Sequence, residues 1–244
     1  PRRVFDLILD APGTELPDPV LRPEQPVLGD YSAVDYSVER DWAQAEDGTR
    51  IPITLIRRRD AAQPAPAMVY AYGSYEISMD PSFSYSRISL LDRGAVWAIA
   101  HVRGGGELGR AWYENGKALT KRNTFTDFVA CARHLVESGL TAPDRLVAEG
   151  GSAGGLLMGA VLNLAPELYR ACLAVVPFVD ALTTILDPEL PLSALEWEEW
   201  GNPIEDAAVY EAMRAYTPYE NVRAVDYPAI AAVTSLNDTR VHYV

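Results

Sequence analysis

Six residues past the middle of the chain combine the types and spacing that nucleophilic acyl chemistry needs: Gly150-Gly151-Ser152-Ala153-Gly154-Gly155. A serine hydroxyl attacks a carbonyl only when a base takes its proton and when the oxygen stands clear of the surrounding backbone. Here an apolar run, Arg145-Leu146-Val147-Ala148-Glu149, precedes the serine, and a helical pattern from Leu156 to Asn163 follows it. A serine between glycines at a strand-to-helix junction reads as a nucleophile elbow. The turn is sharp enough to hold the serine at strained backbone angles, and neighbours bearing a Cβ would collide. The helix that starts there aims its first amide N–H groups at any oxyanion formed beside the hydroxyl.

Such a turn needs a sheet beneath it. Residues 67–72 and 95–100 are continuous apolar runs, as in strands covered on both faces. Residues 125–136 have helical spacing and end near Gly139; residues 172–176 and 229–234 again read as strands. Upstream, residues 36–42 and 50–56 are strand-like and joined around Asp47-Gly48, a hairpin signal. Strands alternating with helices predict a doubly wound, mostly parallel α/β sheet, and the elbow makes it an α/β-hydrolase fold. Sheets of this kind place their sites at the carboxyl ends of the strands. Ser152, Tyr72, Pro177 and Asn237-Asp238 all fall there. Residues 1–35 differ: 3–9 alternate like a strand, and the proline-rich stretch 12–26 reads as a linker.

Composition narrows the possible functions. The 244 residues suffice for one large domain or one plus a fragment, and 48% hydrophobic with 23% charged residues is ordinary for a globular chain. A net charge of −13 argues against binding nucleic acid through its phosphates and mildly favours cationic partners. No window approaches eighteen uncharged apolar residues, so no membrane span is expected, nor a membrane partner. The two cysteines, Cys131 and Cys172, lie in apolar patterns and read as buried free thiols, which suits a reducing, cytoplasmic compartment. No metal-ligand spacing appears among two Cys and three His, and no cofactor is expected. The start, Pro1-Arg2-Arg3, has neither an initiator Met nor a signal-peptide core and reads as a cut into a longer protein.

Hydrolases on this fold follow the chain order serine, acid, histidine. The acid candidate is Asp238, in Ser235-Leu236-Asn237-Asp238-Thr239-Arg240-Val241, just past a predicted strand. Across residues 36–244 the sequence resembles the prolyl oligopeptidase family of serine peptidases, and within it most closely the oligopeptidase B group. The stretches that carry the likeness include Tyr70-Ala71-Tyr72-Gly73-Ser74-Tyr75, His101-Val102-Arg103-Gly104-Gly105-Gly106-Glu107 and Lys121-Arg122-Asn123-Thr124-Phe125. The elbow, Val176-Pro177-Phe178-Val179-Asp180 and Glu196-Trp197-Glu198-Glu199-Trp200-Gly201-Asn202-Pro203 continue it in order.

That resemblance implies Ser152 as nucleophile and Asp238 as the acid that orients a histidine. It implies an oxyanion hole made by the Ala153 N–H and the Tyr72 phenol, and Arg240 as a ligand of the substrate main chain. Glu196 and Glu198 match the pair that binds the Arg or Lys before the cleaved bond, and two carboxylates suit a guanidinium fork. Glu199 is expected to be an exposed helix-face acid. Asp80 matches one acid that favours a second basic residue upstream, but Ser82 stands where its acidic companion would be, so the dibasic preference is expected to be weaker.

The family histidine lies beyond the acid, after one more strand, and the sequence stops at Val244. His101 ends a strand and reads as structural, His134 as an exposed helix residue, and His242 is too near Asp238 to bridge to Ser152. The expected molecule is therefore a catalytic domain short of its last strand or strands. Residues 1–35 would be the end of an N-terminal β-propeller with its linker, and 36–244 the peptidase domain. Its partners would be short basic peptides, with the fragment itself inactive. Two rivals remain at this point: an acylaminoacyl-peptidase or esterase of the same fold, and a non-catalytic binding module. Two unpaired carboxylates in an apolar acyl pocket disfavour the first.

Overall fold

A computed structural model describes residues 1, 3–7, 18–190 and 193–241. The apolar runs form strands in a seven-stranded sheet of order β3-β4-β6-β5-β7-β8-β9. Its members are β3 (Tyr36–Gln44), β4 (Arg50–Arg58), β5 (Ala67–Tyr70), β6 (Val96–Ala100), β7 (Leu146–Gly151), β8 (Ala171–Val175) and β9 (Ala229–Val233). The hairpin β3–β4 pairs antiparallel and turns around Asp47-Gly48, and β4 meets β6 antiparallel. From β6 across β5, β7 and β8 to β9 every pairing is parallel. The predicted doubly wound, mostly parallel sheet is thus the sheet observed.

Seven α-helices are described: α1 (Tyr85–Leu91), α2 (Arg110–Glu114), α3 (Arg122–Glu137), α4 (Ala153–Leu164), α5 (Ala181–Leu186), α6 (Ser193–Trp200) and α7 (Ala207–Tyr216). α3 and α4 pack together over one sheet face, and α4 is apolar nearly all round because it is buried nearly all round. Phe125, Phe128, Cys131 and Leu135 of α3 and Leu156, Leu157 and Val161 of α4 are buried in one apolar cluster with Val69, Ala98 and Ala148. Both helices start earlier than their apolar spacing indicated, because polar residues fill the first turn of α3 and small residues that of α4.

One polar cluster pins this layer to the hairpin. Asp127, fully buried on α3, receives Arg103 Nε at 2.8 Å and Nη2 at 2.6 Å, while Arg103 Nη1 reaches Asp47 at 2.7 Å. The planar fork meets one carboxylate with two bonds and still ties in the turn between β3 and β4.

The N-terminal reading needs correction. β1 (Arg3–Asp6) pairs antiparallel with β2 (Val20–Glu24), so part of the presumed linker is a strand in a separate two-stranded sheet. Pro23 is tolerated because a two-stranded ribbon leaves each strand one edge without partners. Residues 8–17 lie outside the described residues.

Both cysteines are buried and free. Burial pushes the Cys172 thiol up to about 12 and raises Cys131 well above the usual thiol range. The native state therefore keeps both protons when the unfolded chain has lost them, and stability falls as pH rises past the unfolded thiol value. Lys121, whose amine burial pushes down to about 8, opposes this fall. The cysteine contribution is isolated by comparison with a Cys131→Ala/Cys172→Ala variant. Between pH 8 and 10 that variant should lose about 2–3 kcal/mol less stability than its parent in denaturant titrations, about 1.4 kcal/mol per thiol per pH unit.

Candidate active site

β5 has β6 on one side and β7 on the other, so the chain reverses its winding direction between β5 and β7. That switch point opens a crevice at the carboxyl ends of the two strands. Tyr70 is in register with Glu149, so two residues further on Tyr72 comes beside the elbow at Gly151-Ser152. Ser152 has φ 56° and ψ −117° and caps α4. Its N–H donates to the Val175 carbonyl of β8 at 2.9 Å, and its own carbonyl accepts from Gly155 at 2.8 Å and Leu156 at 3.1 Å. A Cβ on Gly150 would come within 2.3 Å of the Gly154 carbonyl oxygen, and one on Gly155 within 2.4 Å of Pro177 Cα. The glycines are what let strand, turn and helix pass this close.

The side chains above the turn form a pocket lined by Tyr72, Tyr75, Ser152, Ala153, Phe178, Glu196, Trp200, Arg240 and Val241, among others. Burial raises the Tyr72 phenol above its ordinary value, more than the neighbouring Ser152 hydroxyl and the Arg240 cation lower it, and the Glu196 charge adds to the rise. Tyr72 thus keeps its proton and remains a donor at neutral pH. Ala153 opens α4, where backbone N–H groups have no partner within the helix.

Glu196 lies at the pocket wall with Oε2 accepting the Tyr75 hydroxyl at 2.5 Å and Trp200 Nε1 at 3.1 Å. Glu198 is not brought into the pocket; it is exposed. On a helix, residues two apart do not share a face, and Glu196 sits with Trp200, four residues on. Glu199 corrects the expectation of an exposed acid. It is 3% exposed, takes the Tyr75 N–H and the Tyr113 hydroxyl, and pairs with Lys121.

Asp80 is exposed on the loop after Met79 and does not line the pocket. Asp238 follows β9 and is half-buried; its Oδ1 accepts the N–H groups of Arg240 and Val241, each at 2.9 Å. These bonds fold the loop so that Arg240 and Val241 close one side of the pocket.

Neither described histidine lines the pocket. His101 is buried, with Nε2 2.8 Å from Thr54 Oγ1 and Nδ1 3.2 Å from Glu107 Oε1. His134, expected to be exposed, is half-buried with Nε2 2.8 Å from Asp41. His242 lies outside the described residues. Among the described residues no cluster of His, Cys, Asp or Glu is arranged to hold a metal ion, and no helix is long and apolar enough to cross a membrane.

Sequence reasoning missed Tyr75 and Trp200 as the donors to Glu196, and Lys121 and Glu199 behind them. The i, i+4 spacing of Glu196 and Trp200 was the available signal.

A serine elbow at the switch point of a mostly parallel sheet, with a phenol and a helix N-terminus beside it, defines the α/β-hydrolase class. The model of the prolyl oligopeptidase family matches residues 81–244, and the chain belongs to that family. Dipeptidyl aminopeptidase BI of Pseudoxanthomonas mexicana is 55% identical over 223 residues, covering 90% of this chain and 31% of that protein. Protease 2 of Moraxella lacunata is 48% identical over 220 residues, covering 89% and 32% respectively. The structure of oligopeptidase B from Leishmania major matches with a TM-score of 0.89 and 52% identity, covering 93% of this chain and 32% of that one. The chain therefore spans about a third of the length of these relatives.

Proposed function

We propose that this chain carries the catalytic site of a serine-type oligopeptidase that hydrolyses short peptides after Arg or Lys through an acyl-enzyme. The observation that supports the reading is that Glu196 and Ser152 line the same pocket. A guanidinium or ammonium held at Glu196 brings the carbonyl of its own residue to the serine. Ser152 Oγ attacks that carbon, and the oxygen, now negative, is received by the Tyr72 O–H and the Ala153 N–H. Arg240 binds the substrate main chain.

Asp238 orients a histidine supplied by the full-length polypeptide. That histidine takes the serine proton and returns it to the leaving amine, and water then cleaves the acyl-enzyme by the same route reversed. On this reading the 244 residues alone hydrolyse nothing at a useful rate, because both described histidines are engaged elsewhere. Residues 1–35 are the end of the family's accessory propeller. The separate β1–β2 sheet supports a boundary near residue 36. Buried free thiols support a reducing, cytoplasmic setting.

The test is cleavage by the full-length protein of an Arg amide, a Pro amide and an acyl ester. It runs beside fluorophosphonate labelling of the full-length protein and of the 244-residue chain. The expected result is preference for the Arg amide and rapid labelling of the full-length protein alone. Preference for the Pro amide or the ester would overturn the specificity. Absence of both cleavage and labelling in the full-length protein would leave a binding module.

A further inference from the structure

In contact with the pocket residues Tyr75 and Trp200, but not itself lining the pocket, lies a buried ion pair that the chemistry above does not use. Lys121 Nζ, on a side chain 1% exposed, is 3.6 Å from Glu199 Oε1, itself on a side chain 3% exposed. The ammonium also donates to the Gly73 carbonyl and to Ser74 Oγ, both at 2.6 Å, and lies 5.0 Å from the centre of the Trp200 ring. Glu199 accepts the Tyr75 N–H at 3.2 Å and the Tyr113 hydroxyl at 2.7 Å.

The segment these bonds hold is strained. Tyr75 has φ 58° and Glu76 φ 59°, two consecutive non-glycine residues in the left-handed region. Such conformations persist only where their surroundings over-determine them. The gripped groups are the ones that set the site. Gly73 and Ser74 directly follow Tyr72, and both donors to Glu196, Tyr75 and Trp200, are touched by Glu199 and Lys121 respectively.

We propose that Lys121 and Glu199 are positioning residues, a buried pair that fixes both the Tyr72 phenol over Ser152 and the Glu196 carboxylate for the substrate cation. Neither touches substrate. The inference rests on the peptidase reading above. Its physical content is that the pair contributes geometry rather than net stability. Burying two charges costs about as much as their attraction returns, while removing one leaves the other unpaired.

The test uses the full-length protein with Lys121→Met, Glu199→Gln and the double variant. Two quantities are followed: KM and kcat for an Arg amide, and the rate at which a small neutral fluorophosphonate labels Ser152. Each single variant should lower the melting temperature, and the double should recover most of that loss. Despite its recovered stability, the double variant should label at least about tenfold more slowly and show a KM for the Arg amide raised at least about tenfold. A double variant as stable as the parent that keeps both the parental labelling rate and the parental KM overturns the proposal. If the parent labels well but has no preference for Arg, the specificity reading has failed instead. The labelling rates then decide the positioning of Tyr72 alone, slowed labelling supporting it and unchanged labelling overturning it.

Discussion

Replacing Ser152 by alanine in the full-length protein should lower kcat by about 10⁴–10⁶-fold while leaving the protein folded and able to bind a basic peptide. The size follows from what is removed. On the proposed mechanism the hydroxyl oxygen forms the covalent bond, and without it the phenol of Tyr72 and the N–H of Ala153 would have only a directly attacking water to assist. The remaining rate above the uncatalysed reaction is what those donors and the pocket supply. The second half of the prediction concerns stability and runs the other way. Ser152 sits at φ 56°, a conformation disfavoured for any residue with a Cβ. Ser152→Gly should therefore be more stable than the parent by about 1–3 kcal/mol, the cost of one such strained residue. Denaturant unfolding and a single-turnover assay on the same two variants check both halves. A Ser152→Ala protein that retains near-parental turnover would remove the serine from the mechanism.

Glu196→Gln should change what the enzyme accepts rather than whether it works. The substitution keeps the shape, and the carbonyl oxygen can still accept from Tyr75 and Trp200 as Oε2 does now. It removes the charge that a guanidinium would meet in a pocket walled by Tyr72, Tyr75, Phe178 and Trp200. Losing one partner of a desolvated, hydrogen-bonded charge pair costs about 2–5 kcal/mol, so kcat/KM for an Arg amide should fall by roughly 30-fold to several thousandfold. A substrate with a neutral residue before the cleaved bond should lose little or nothing. Glu198→Gln is the informative control, because Glu198 is exposed and outside the pocket. It should shift kcat/KM for the Arg amide by less than about fivefold, the scale of a solvated charge pair. A Glu198 variant that loses more than the Glu196 variant would reverse the assignment of the specificity acid.

The sheet and the elbow were legible because their signals are local. Continuous apolar runs specify strands covered on both faces, and a serine among glycines at a strand end specifies the turn. The register of β5 on β7 then carries Tyr72 to Ser152 without further information. The acids of α6 were legible only in part. Three glutamates within four positions look alike in sequence, yet one faces the pocket, one faces solvent and one is buried on Lys121. What separates them is the rotation of α6 against the segment 73–76, a tertiary contact between residues over a hundred positions apart. The strand β2 was hidden for a different reason. Its proline suggested a linker, and an edge position made the proline harmless.

Tyr72, Ser152, Glu196 and Asp238 come from four separate connections, and the first, second and fourth depend on strands β5, β7, β8 and β9 lying side by side. Each of those parallel pairings joins segments separated along the chain, so forming it carries a loop-closure cost that local contacts do not. Until those strands align, Tyr72, Ser152 and Asp238 are not brought to one rim.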